Sequence, residues 1–152
     1  MKKNKVKEVE AVKATIEAAG LEPRLTGGRF EFLSKPSGSH ELTMEMIWDG
    51  AGYNKEKELI LIEAELCNPL NKGHLQQHLT RLLVMKAAGL DVTKLIWIIY
   101  NTCSRQLYEI VCLWKHMLGK MSHIGLPEME IRNPNGEIIS WWNYGHEFRR
   151  YL

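Results

Sequence analysis

Apolar and polar positions alternate along this chain with two periods, and the changes of period divide it into elements. Val6, Val9, Val12, Ile16 and Ala19 share one face of a helix over about 5–19, which Gly20 stops. Residues 28–34 alternate as a strand with Phe30 and Phe32 on one face, and 42–48 alternate likewise with Leu42, Met44, Met46 and Trp48 together. The Pro- and Gly-bearing run 35–40 reads as the loop between them, and 49–56 as a turn-rich loop. Leu59 to Ile62 is an unbroken apolar run, the mark of a buried strand, set within 57–66. A helix over about 72–88 follows, with Leu75, Leu79, Leu82 and Leu83 near one face and Gly89 as its stop. Residues 94–100 form the most apolar strand, expected to be central and buried on both faces. Ser104 opens a last helix reaching about 118, and a hairpin spans 129–141 around Asn133-Pro-Asn-Gly136. The helix between the third and fourth strands acts as a crossover, so those strands should run parallel.

Composition narrows the class without choosing a function. The 152 residues, 45% hydrophobic and 25% charged, suit one α/β domain with a central mixed β-sheet flanked by helices. A net charge of +2 permits nucleic-acid binding without arguing for it. Three widely spaced cysteines, Cys67, Cys103 and Cys112, read as reduced thiols of a cytoplasmic protein. The N-terminus is polar, and no apolar run is long enough to span a membrane.

The chemistry gathers on Glu63-Ala64-Glu65. Residues i and i+2 of a strand point to one face, so two carboxylates project together at the end of an apolar run. They are either solvated at the strand's end or held by a divalent cation, which relieves the repulsion. If 42–48 pairs with 59–66 in a hairpin centred near Asn54, Glu45 lies opposite Glu63 and a third carboxylate joins them. In another register Glu45 faces solvent. Asp49 is the competing acid. It precedes Gly50 in a loop, where Asp is common, and this register leaves it about four residues from Glu63, roughly 13–14 Å along the strand. On one flank of the 72–88 helix His74, His78, Arg81 and Met85 line up. The two histidines, with Cys67 upstream, allow a zinc site; a role beside the carboxylates or against phosphate, or partial exposure without function, are the alternatives. The tail 142–152 mixes aromatics with Arg149 and Arg150. It suits stacking on single-stranded bases, or docking on its own domain or a dimer partner.

The order of elements and acids resembles the PD-(D/E)xK nuclease superfamily, small restriction endonucleases and archaeal Holliday-junction resolvases in particular. The resemblance covers about 5–100: the first helix, Glu45 in Met44-Glu-Met-Ile-Trp48, Glu63-Ala64-Glu65, the 72–88 helix and the following strand. It implies a restriction-endonuclease-like core (αβββαβ), to which a helix and C-terminal hairpin over 104–141 are added. It also implies Mg²⁺-dependent hydrolysis of double-stranded or branched DNA, with Mn²⁺ able to substitute; a homodimer is the expected assembly. On that analogy Glu45, Glu63 and the Ala64 carbonyl hold the metal, and His74, Gln77, His78 and Arg81 approach the phosphate backbone. Glu8 is the first-helix acid nearest the apolar stripe. Glu65 stands where the family carries Lys, and the resemblance leaves it as general base or ligand of a second metal. The other implied reading is a catalytically degenerate domain of the same fold that binds nucleic acid or a protein partner.

Overall fold

A computed structural model describes residues 2–34, 42–65, 72–99 and 122–139, together with positions 109, 112–114, 116 and 120. Its centre is a five-stranded mixed sheet in the order β1-β4-β5-β6-β7. These are β1 (Glu22–Pro23), β4 (Gly50–Tyr53), β5 (Leu59–Glu65), β6 (Val92–Ile99) and β7 (Glu128–Arg132). The strands β2 (Arg29–Ser34) and β3 (Leu42–Ile47) form a separate antiparallel ribbon. β4 runs antiparallel to β5, while β5, β6 and β7 are mutually parallel. The expected parallel pairing of the 57–66 and 94–100 segments is therefore present. Helix α2 (Lys72–Ala87) makes the crossover between them.

The two sheet faces bury separate clusters. On one, Ile60, Ile62, Ala64, Ile96 and Ile98 pack against Ala11 and Val12 of α1 (Lys2–Ala18). On the other, Leu59, Leu61, Leu95, Trp97 and Ile99 meet Leu75, Leu82 and Met85 of α2, with Phe30, Trp48 and Trp114. A strand covered on both faces must be apolar throughout, which explains the unbroken runs in β5 and β6. The packed face of α1 differs from the expected stripe. It is Ala11, Val12 and Thr15, with Ile16 and Ala19 at its margin, and Val9 is exposed. Glu8, three residues before Ala11, falls on that packed side and is half-buried.

One expected loop is a strand. Gly50-Ala-Gly-Tyr53 pairs with Leu59–Ile62 through a tight turn, in which Asn54 N–H donates to the Glu58 carbonyl at 3.1 Å. Glycine is a poor strand former by propensity, yet packing demands it here. A Cβ on Gly50 would come within 2.6 Å of Val12 Cγ1, and one on Gly52 within 2.8 Å of the Glu22 carbonyl oxygen. The expected helix over 104–118 and the tail 142–152 fall mostly or wholly outside the described residues; positions 112–114 are helical. Of the late hairpin, the described residues join β7 to its return segment at the bridge Arg132↔Ile138, with Ile139 N–H donating to the Ile131 carbonyl at 2.8 Å.

Candidate functional site

The pairing of β4 with β5 decides which acids meet. The ladder runs Tyr53↔Leu59 to Gly50↔Ile62, so the next position brings Asp49 opposite Glu63. Glu45 is elsewhere. It pairs with Glu31 in the β2–β3 ribbon, is exposed, and accepts a 2.7 Å hydrogen bond from Arg29. The expectation that Glu45 faces Glu63 is thus corrected, as is the distance assigned to Asp49. β3 turns back onto β2, and Trp48 N–H extends that ribbon by donating to the Gly28 carbonyl at 2.8 Å. The chain then crosses to the main sheet between Trp48 and Gly50, and Asp49 is the residue at the crossing.

Asp49 is fixed by the strand it faces: its Oδ2 accepts the Ala64 N–H at 2.7 Å. Glu63 points to the α2 face of the sheet with Leu59 and Leu61, and its side chain is 14% exposed. Burial is the main reason its carboxyl is pushed up to about 9, and the charge of Asp49 and a hydrogen bond with it add to the effect. Arg81 opposes this from α2, with Nη1 3.4 Å from Glu63 Oε2. The guanidinium also donates to the Ile47 carbonyl and stacks 3.9 Å over the Trp48 ring. That ring in turn donates its Nε1–H to Met85 Sδ. Arg81 thus clamps both the segment entering Asp49 and the carboxylate facing it.

Glu65 lies two residues beyond Glu63, with a side chain 16% exposed. Burial raises its pKa most; His74 opposes, while Asp49 and Glu8 push it further up. The first-helix acid Glu8 is therefore within electrostatic reach of the cluster. His74 Nε2 is 4.0 Å from one Glu65 oxygen and His78 Nε2 is 3.8 Å from the other.

His78 is not a flank residue. The buried stripe of α2 is Leu75, His78, Leu82 and Met85, and His78 is only 1% exposed. Its ring sits 4.8 Å edge-on from Trp97 and 6.2 Å from Trp48, and burial drives its pKa down to about 4. The expectation that His78 contacts phosphate is corrected accordingly, because a neutral ring in the core offers a polymer nothing. Gln77 is exposed and His74 and Arg81 are half-buried, so these three remain at the surface of α2.

Among the described residues, no three His, Cys, Asp or Glu side chains are gathered closely enough to hold a metal ion as they lie. The donor set nevertheless suits a hard cation. Mg²⁺ keeps most of its waters and takes only one or two carboxylates. A carboxyl pushed up by burial and by a neighbouring acid, as Glu63 is beside Asp49, is in the state such a cation would relieve. No described helix is long and apolar enough to cross a membrane. Comparison of the chain with family models, with curated proteins and with solved structures finds no match.

Proposed function

We propose that this protein is a divalent-metal-dependent nuclease that hydrolyses phosphodiester bonds in DNA, built on a restriction-endonuclease-like core. The observation that carries this reading is the apposition of Asp49 and Glu63 across the β4–β5 hairpin. Glu65 lies two residues on, and Arg81 is brought over the same face by the crossover helix. The element order supports it: a helix with Glu8 on its packed side, a hairpin carrying paired acids, a helix, and a strand parallel to the acidic one.

Asp49 and Glu63 are the carboxylates that would hold the metal. The Ala64 carbonyl is the third candidate donor, because a strand residue's C=O points to the same side as its N–H, here toward Asp49. Bound there, Mg²⁺ or Mn²⁺ supplies a Lewis acid for the phosphate and lowers the pKa of a coordinated water. The positive charge missing at Glu65 is provided from α2. Arg81 has a planar fork of donors, of which the Ile47 carbonyl and Glu63 engage only part, and the remainder can face a phosphate. His74 and Gln77 extend that surface along the helix.

The test is incubation of supercoiled plasmid and branched DNA with Mg²⁺, with Mn²⁺ and with chelator. Metal-dependent nicking is expected, lost in Glu63→Gln and Asp49→Asn and retained in Glu45→Gln. No cleavage of either substrate with either metal would overturn the reading in favour of a non-catalytic DNA-binding or assembly domain.

A further inference from the structure

Beside the carboxylate pair lies a group of different chemistry, to which the proposed hydrolysis gives no part in holding a metal. His74 and His78 are one helical turn apart on α2, and both Nε2 atoms converge on the two oxygens of a single carboxylate, Glu65. Separations of 4.0 and 3.8 Å exceed a hydrogen bond. They approach the spacing of ligands that share a cation, roughly 3.3 Å apart when each stands about 2.0–2.1 Å from a tetrahedral metal.

The second observation concerns His78 alone. Its side chain is 1% exposed, and neither ring nitrogen has a hydrogen-bond partner among the described residues. Buried imidazole nitrogens are ordinarily paired. Trp97 and Trp48 pack against the ring, and its Nε2 stands 3.8 Å from a Glu65 oxygen. An apolar residue would fill this place in the Leu75–Leu82–Met85 stripe at less cost, unless the nitrogen has something to bind.

We infer that His74, His78 and Glu65 form a second cation site, one for a borderline transition metal such as Zn²⁺ or Co²⁺ rather than Mg²⁺. Two imidazoles and one carboxylate select such ions, whereas Mg²⁺ prefers oxygen donors and its own waters. The site stands independently of the nuclease reading, because neither Asp49 nor Glu63 is among its ligands.

The metal-stripped 152-residue chain is titrated with Co²⁺ and followed by its visible d–d absorbance. A saturable band is expected, persisting in excess Mg²⁺ and in Asp49→Asn. It should weaken about tenfold or more in His74→Ala, whose far-UV circular dichroism should match the parent. His74 is the informative position because it is partly exposed, whereas His78 variants alter the core. Absence of saturable binding, or unchanged affinity in His74→Ala, overturns the assignment. Loss of the band in Asp49→Asn puts the cation on the carboxylate pair, and a thiolate charge-transfer band puts it on cysteine; either result also overturns it.

Discussion

Glu63→Gln should stabilise the metal-free protein, and by an amount that grows with pH. In the folded state the Glu63 carboxyl holds its proton up to about 9, from an ordinary value of 4.5, mainly because it is buried. Below 4.5 both folded and unfolded chains carry that proton and the group is neutral to stability. Between 4.5 and about 9 the unfolded chain releases it while the folded chain retains it, so stability falls as pH rises through that window. At pH 7 the interval is two and a half units, and at 1.36 kcal/mol per unit the folded protein has lost about 3 kcal/mol. Glutamine keeps the shape and can still hydrogen-bond Asp49, but has no proton to lose. For a chain of this size each kcal/mol moves Tm by about 2–4 °C, so the variant should melt roughly 6–12 °C higher at pH 7. At pH 5 the difference should be small. The assay is thermal melting in chelator at pH 5, 6, 7 and 8. A variant less stable than its parent at pH 7, or a gap that does not widen with pH, would refute the account of Glu63 as a buried carboxyl beside a second acid.

Two further substitutions probe how the site is held. In Gly28→Ala the new Cβ would lie 2.1 Å from the Trp48 carbonyl oxygen, a backbone atom that cannot step aside. The ribbon must separate there, and a loss of about 2–4 kcal/mol is expected by urea denaturation, with reduced cleavage because Asp49 is the next residue. Arg81→Ala removes the cation beside Glu63 and the stack on Trp48. It should weaken DNA binding uniformly across sequences and lower the slope of log K against log salt by about 1, measured by fluorescence anisotropy; an unchanged slope would place the DNA away from α2.

Local pattern carried much of this architecture. The apolar run 59–62 reads correctly as a buried strand and the run within 94–100 as one covered on both faces, and the helix between them is enough to make them parallel. What sequence could not supply was anything set by distant partners. Gly50 and Gly52 look like turn residues, since only Val12 and the Glu22 backbone, far away in sequence, explain why a strand there needs glycine. Counting Gly50-Ala-Gly-Tyr53 as loop shifted the hairpin and brought Glu45 to a place that belongs to Asp49. The period-two spacing of the two glycines after Asp49 was the available hint of a strand. Glu45 looked like an acid in need of a reason, and its reason is Arg29 across the ribbon rather than a metal. His78 fell on the helix flank because hydropathy counts histidine as polar; that it lies between two tryptophans appears only once α2 is laid on β6.

The hairpin that joins Asp49 to Glu63 also has a consequence in time. The two carboxylates are close in sequence and meet through the short turn at 54–58, whereas Arg81 reaches Glu63 only when α2 has docked over the sheet. Hairpins close in about 1–10 μs, while a parallel crossover requires a longer loop to be ordered and forms later. During folding the like charges therefore come together before the guanidinium arrives to offset them. Glu63 therefore takes up a proton as the hairpin closes, and keeps it up to about 9 once Arg81 has docked. Refolding should be faster at pH 5 than at pH 8 in stopped-flow experiments, and Glu63→Gln should remove most of that dependence.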